Sequence, residues 1–153
     1  MFSSSRYLVS VTRLIAADRQ WLFDLVADPA QHPVIDGSGS VRAARPGNPA
    51  RLSLGATFSM DMKLGADYKI RNTVVEFDEP SVIAWRHFNG HVWRYRFAEA
   101  PGEGAAMTSV TEEWDARPVW NRFALVLLGF PQRNRAGMTA TLERMAELAA
   151  TRG

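Results

Sequence analysis

Hydrophobic and polar positions change their period twice along the chain. Tyr7–Leu14 sets Leu8, Ser10 and Thr12 against Tyr7, Val9 and Val11, an alternation that predicts a first strand. From Asp18 the period becomes helical. Trp21, Leu22, Leu25 and Val26 fall on one face, Asp18 is placed to cap the helix, and Pro29 disfavours helical geometry at Asp28. His32 to Asp36 leaves room for a short second helix or turn, closed by Gly37-Ser38-Gly39. The text is then strand-like: Ser40–Ala44, Ala56–Leu64, Tyr68–Asp78, Val82–Phe88, Val92–Glu99 and Ala106–Ala116. Turn chemistry separates them, at Pro46 to Pro49, Gly65-Ala66-Asp67, Asp78-Glu79-Pro80, Asn89-Gly90 and Pro101 to Gly104. After Pro118 the helical period returns, with Met138, Leu142, Met145 and Leu148 opposite Arg135, Glu143, Arg144 and Glu147. Gly129 and Pro131 predict a kink or break between Val119–Leu128 and the terminal segment.

Six successive strands on short turns imply an antiparallel meander, since parallel pairing needs crossover segments that are absent here. With the first strand this makes a seven-stranded sheet whose apolar face must be covered. The last helical stretch, about 30 residues and about 45 Å if straight, is the one element long enough. The expectation is an α+β chain: a curved seven-stranded antiparallel sheet wrapped around a long C-terminal helix, with two short helices after the first strand. No linker or repeat divides it, so residues 1–153 read as a single domain.

Composition narrows the chemistry. With 46% hydrophobic and 22% charged residues the chain is globular rather than disordered. The absence of cysteine removes disulfides, thiolate metal sites and cysteine nucleophiles, and fits a reducing, cytoplasmic setting. Sixteen of the eighteen basic residues are arginine, yet the net charge is only +2 and no dense run occurs. Nucleic-acid binding, which needs a concentrated basic stripe, is not expected. The first ten residues lack the pattern of a signal peptide, and Phe123–Phe130, the longest apolar run, is far too short for a transmembrane segment. His32, His87 and His91 lack metal-ligand spacing, and no phosphate-loop, dinucleotide or serine-hydrolase motif is present, so neither metal nor cofactor is expected.

Particular stretches resemble a known family. They are Ala17 to Pro29 (ADRQWLFDLVADP), His32 to Val41 (HPVIDGSGSV), Glu76 to Pro80 (EFDEP), Ile83 to Arg86 (IAWR), Val110 to Glu112 (VTE) and Gly137 to Arg144 (GMTATLER). Their order and spacing resemble the START-related helix-grip superfamily, in particular its polyketide cyclase/dehydratase-like (SRPBCC) members of actinobacterial type. The resemblance covers nearly the whole chain. It implies the helix-grip fold and a small hydrophobic ligand, polyketide-, aromatic- or lipid-like, held between sheet and helix. The superfamily also holds cyclases, dehydratases and chaperone cofactors, so the fold alone does not assign an activity.

Alternation nominates the lining. Ile83, Trp85 and His87 share one face of the fifth strand, and Trp93, Tyr95 and Phe97 share one of the sixth. A two-residue Asn89-Gly90 turn would set Trp85 across from Arg94. A three-residue loop, Asn89 to His91, would pair Phe88 with Val92 and Trp85 with Tyr95, gathering the aromatics. Burying several large rings, each worth about 1.5–3 kcal/mol, favours the odd loop, which also sets Arg86 opposite Arg94 on the outside. Phe58, Met60 and Met62 face inward from the third strand, as do Val110, Glu112 and Trp114 from the seventh. Trp120, Phe123 and Leu127 are expected to project over the cavity mouth. The alternative is that these side chains fill a solid core.

Candidate ligand contacts are therefore Met60, Met62, Trp85, His87, Trp93, Tyr95, Glu112, Trp114, Trp120, Phe123 and Leu127. His32 and Asp36 are candidates for the entrance, or else Asp36 caps the glycine turn with His32 packed beneath it. Glu112, His87 and Tyr95 are the candidates for acid–base catalysis, Glu112 because an inward carboxyl must find a partner or hold its proton. An arginine partner would make it structural instead. Three readings stay open: a hydrophobic-ligand binder, a cyclase/aromatase or dehydratase, and a protein-interaction module like the chaperone-cofactor branch, with Phe123–Phe130 as a contact or homodimer surface.

Overall fold

The computed structural model describes residues 6–64, 66–87, 89–101 and 105–152. The expected turns at Gly65 and at Gly102 to Gly104, the Phe88 end of the expected hairpin pairing and the first five residues lie outside them. Strand β1 (Leu8–Ile15) is followed by α1 (Arg19–Ala27), a 3-10 turn at 29–31 and the single-turn α2 (His32–Ile35). Asp18 caps α1 as expected, accepting from the Gln20 amide at 3.0 Å, and Asp28 caps the next turn through Ala30. Strands β2 (Val41–Ala44), β3 (Thr57–Leu64), β4 (Ala66–Asp78), β5 (Val82–His87), β6 (Val92–Glu99) and β7 (Thr108–Asp115) follow. They form one antiparallel sheet in the order β1-β7-β6-β5-β4-β3-β2, the meander closed at one edge by β1. Its shape is a curved half-barrel with a long C-terminal helix, the α+β helix-grip arrangement.

The chain then forms α3 (Arg122–Leu127) and α4 (Phe130–Thr151). Gly129, at φ 79°, takes the left-handed conformation that a glycine adopts without a Cβ penalty, and it separates the two helices. The covering helix is thus 22 residues, about 33 Å, rather than the 45 Å expected of an unbroken stretch. Its buried stripe is Met138, Leu142 and Met145, with Thr141 and Ala149 beside it, and it rests against β1 and β7. Arg152 at its end lies over the Trp21 ring of α1, 4.4 Å from the centroid. On the other flank α1 buries Leu22, Phe23 and Val26, and the Phe23 ring meets Phe77 and Phe97 edge-on at 5.4 and 5.7 Å.

Two registers depart from a simple ladder. Between Val74 and Glu76, β4 carries an irregularity opposite β5. It lets Ile70, Asn72 and Val74 face inward before it, and Phe77 after it, a change of parity that an uninterrupted strand forbids. In the β5–β6 hairpin, Trp85 stands opposite Trp93 and Ile83 opposite Tyr95. The pairing expected from sequence, Trp85 with Tyr95, is therefore displaced by two residues. The His87 amide donates to the His91 carbonyl at 2.9 Å, so the loop is residues 88–90 instead of 89–91. Loop length stays odd, parity is preserved, and the aromatics share one face as burial demands. Arg94 consequently stands opposite Ala84, not Arg86, and on the outer surface its guanidinium bonds Glu76 at 2.7 Å and Glu113 at 3.0 Å.

Gly37 decides how closely α4 can approach. A Cβ there would lie 2.3 Å from the Ala140 carbonyl carbon and 2.5 Å from the Thr141 nitrogen, while the Gly37 amide donates to Thr141 Oγ1 at 2.9 Å. Backbone of α4 leaves nothing to yield at those distances. Gly37→Ala should destabilise the protein by roughly 2–3 kcal/mol, as overpacking does. Urea unfolding followed by circular dichroism measures it; an unchanged midpoint would mean the loop and helix separate freely.

Candidate functional site

The inner face of β3 to β7 and the inner side of α2, α3 and α4 enclose a cavity of about 690 Å³, within the range of small-molecule pockets. Met60, Met62, Trp85, Trp93, Tyr95 and Trp114 line it, as their alternation predicts, together with His87 and Glu112. So does Phe58, whose ring meets Trp85 edge-on at 5.4 Å. These side chains line the hollow while Phe58, Met60, Trp85, Tyr95 and Trp114 also pack in the hydrophobic core. Most are buried, Trp114 at 2% exposure and Met60 at 2%.

Trp120, Phe123 and Leu127 require a correction. They are exposed to 92%, 57% and 72% and do not line the cavity. Breaking the helix at Gly129 turns α3 so that Leu125 and, after the break, Phe130 face inward in their place. His32 is likewise part of the wall rather than the entrance. It is buried, its Nε2 bonds the Val26 carbonyl at 2.7 Å, and its ring stacks on Trp85 at 5.0 Å. Asp36 reaches the cavity but serves the glycine turn, accepting from Ser38 N and Oγ and from Val41 N.

Polar groups interrupt the apolar lining. Glu112 is 1% exposed, and its Oε2 accepts from Trp93 Nε1 at 2.7 Å. Tyr95 stands across the β6–β7 ladder from it and, like Trp93, favours the charged form of this carboxyl. No arginine acts on it among the described residues. Burial raises its pKa to about 8 against the pull of these two neighbours, so the carboxyl holds its proton near neutral pH. The same burial pushes the Tyr95 hydroxyl well above its ordinary value. His87 and His91 stack at 4.3 Å; burial lowers His87 to about 4, and burial plus repulsion from His87 lowers His91 to about 3. Both rings are neutral in the working range. Glu112 Oε1, Asn72 Oδ1 and His91 Nδ1 are buried with no hydrogen-bond partner among the described residues, and all three residues line the cavity. Buried polar atoms in folded proteins are nearly always paired, so three partnerless ones lining one cavity mark where a guest molecule's own polar atoms belong.

Asn72 and His91 were not among the sequence candidates. Asn72 was detectable, because it is the polar interruption in the apolar stripe Ile70, Asn72, Val74. His91 was assigned to the loop, and only the two-residue displacement of the hairpin brings it beside His87.

Comparison with known proteins adds three findings. A family model described as polyketide cyclase / dehydrase and lipid transport matches residues 6–150. An uncharacterised protein of Mycobacterium tuberculosis, Rv0088, is 37% identical over 141 residues, which is 87% of this chain and 60% of that protein. The chain thus spans about three-fifths of the length of the curated relatives it matches. Among solved structures, Ms6760 of Mycobacterium smegmatis superposes with a TM-score of 0.68 at 18% identity, over 96% of this chain and 93% of that one. The di-domain aromatase/cyclase StfQ of the steffimycin biosynthetic pathway gives 0.61 at 15% identity, over 95% of this chain and 52% of that one. At these identities the likeness to solved structures is one of fold.

The raised Glu112 pKa links stability to pH. Between about 4.5, where the unfolded carboxyl releases its proton, and about 8, where the folded one does, the native state binds more protons. Stability from this group is therefore complete below 4.5 and is lost as pH rises towards 8, by up to about 1.4 kcal/mol per pH unit. The depressed histidines act in the opposite sense at lower pH, so the useful quantity is a difference. Glu112→Gln keeps an acceptor for Trp93 and should gain on the native protein by roughly 2–4 kcal/mol between pH values of about 5 and 8. Equal slopes in urea titrations of the two proteins would contradict the buried, protonated carboxyl.

Proposed function

The chain belongs to the polyketide cyclase/dehydrase and lipid transport family, and from that premise and the cavity we propose that it binds one small, largely apolar molecule carrying a few oxygens. The observation that carries this reading is the pairing of aromatic and methionine walls with the partnerless Glu112 Oε1, Asn72 Oδ1 and His91 Nδ1. Rings and thioethers accept flat or flexible apolar surface, since methionine adapts its shape and aromatic faces stack. The three polar atoms then select orientation: a neutral Glu112 donates to a ligand carbonyl or ether oxygen, and Asn72 Oδ1 accepts from a hydroxyl. A polyketide-like, hydroxylated aromatic or lipid-like molecule has this mixture. A cytoplasmic setting and a single ligand-binding domain over residues 1–153 accord with the absence of cysteine and with the continuous sheet.

A second reading, cyclase or dehydratase chemistry, is favoured by Glu112 itself. A buried carboxyl with a pKa of about 8 can donate a proton to a developing enolate or hydroxyl leaving group and recover it afterwards. The cavity would hold a reactive chain folded so that its carbons approach, which supplies much of the rate in an intramolecular closure. Glu112 is then the proton-transfer group, with Tyr95 holding it in place.

Tryptophan fluorescence titration with hydroxylated naphthalenes, anthraquinones and fatty acids tests binding. At least one class should quench Trp85 and Trp93 emission, and Met60→Trp, which fills the hollow, should weaken binding about tenfold or more. Native mass spectrometry should show a co-purified small molecule in the same site. No quenching by any class would remove the binding reading. For the second reading, Glu112→Gln should retain ligand titration but lose conversion of a poly-β-ketone by a factor of about 100 or more; unchanged conversion would leave Glu112 a ligand contact alone.

A further inference from the structure

The side of α3 that faces away from the cavity has no partner among the described residues. Trp120, Phe123, Leu127 and Leu128 are exposed to 92%, 57%, 72% and 67%. They sit on the segment whose other side supplies Leu125 and Phe130 to the cavity wall, so the apolar patch adjoins the hollow across one turn of chain. A contiguous exposed patch of this kind on a small protein marks an interaction surface.

Charge around it identifies the occupant. From Ala116 to Leu142 the sequence holds Arg117, Arg122, Arg133 and Arg135 and no acidic residue. Asp115 neutralises Arg117 through two side-chain bonds of 2.8 Å. The other three are exposed, Arg122 lying over the Tyr7 ring and Arg133 over Phe130, and none makes an ion pair among the described residues. The acidic residues that flank this segment are Asp115, paired with Arg117, and Glu143, about two helical turns past Arg135.

A second copy fits poorly. A twofold interface lays the same patch on itself and would bring the arginines of each copy against those of the other. Four side chains offer on the order of 500 Å², short of the roughly 800 Å² per partner of a stable interface. An anionic bilayer surface meets both features. Tryptophan and leucine enter the headgroup–acyl boundary, while arginines beside them remain among the phosphates.

We propose that α3 and the start of α4 dock this protein on anionic lipid surfaces, with Trp120, Leu127 and Leu128 inserted and Arg122, Arg133 and Arg135 on the headgroups. Docking there would hold the Leu125–Phe130 side of the cavity against the bilayer, where an apolar guest could pass without crossing water. The inference concerns the surface and stands whether or not the cavity performs chemistry.

Co-sedimentation with vesicles of phosphatidylcholine, alone or mixed with phosphatidylglycerol, tests it at low and high salt. The native protein should bind the mixed vesicles, release at high salt and bind phosphatidylcholine weakly. Replacing Trp120, Leu127 and Leu128 by serine should reduce binding tenfold or more, and Arg122→Gln with Arg135→Gln should reduce it roughly fivefold per charge. These side chains are exposed, so folding is unaffected and circular dichroism checks it. Doxyl-labelled lipid should quench emission that Trp120→Phe removes. Absence of binding to anionic vesicles, or equal binding by the serine variant, would overturn the proposal. Self-association in the ultracentrifuge, abolished by the same substitutions and without vesicle binding, would assign the face to a second copy instead.

Discussion

Helix α4 can grip only part of the sheet. Its buried stripe lies on β1 and β7, held close by Gly37 against Ala140 and Thr141, and a helix about 10 Å wide cannot also cover β3 to β6. The inner face of those strands would ordinarily demand a second layer. Here the sheet curves over it, and large rings and methionines span the gap without filling it. The hollow is a consequence of one helix serving a seven-stranded sheet.

That hollow sets the electrostatics of the site. Away from water, Glu112 finds among the described residues the Trp93 indole and the Tyr95 hydroxyl, neither of which offsets a buried negative charge, and the carboxyl keeps its proton. His87 and His91 stay neutral for the complementary reason. The outer face of the same strands shows the contrast. Arg94, Glu76, Glu113 and Arg96 carry their charges there, with partners within hydrogen-bonding distance. Adjacent residues on one strand, Glu112 and Glu113, are thereby turned by the pleat to opposite environments, Glu112 to the cavity beside Trp93 and Glu113 to Arg94 and Arg96 outside.

Most of the fold was legible because periodicity is local. The strand and helix bounds, the Asp18 cap and the break near Gly129 follow from residues within a few positions of one another. The inward assignment of Trp85, Tyr95, Glu112 and Trp114 needed only alternation and an odd hairpin loop. The exact partners did not follow, because loops 88–90 and 89–91 satisfy the same parity and differ only in which pairs meet across the sheet. Trp120, Phe123 and Leu127 were misplaced for a related reason: the rotation of a short helix about a left-handed glycine is not encoded in its own apolar pattern.

The amino-acid sequence by itself determined the element order, the inward faces of β3, β5, β6 and β7 and the resemblance to the family, since these depend on spacing along the chain. Only the tertiary structure decided that the inner face borders a hollow, that no cation acts on Glu112 among the described residues, and that Asn72 and His91 line the same cavity. Those outcomes depend on distances between segments far apart in the chain, set by how closely α4 seats on Gly37 and by where the sheet bends.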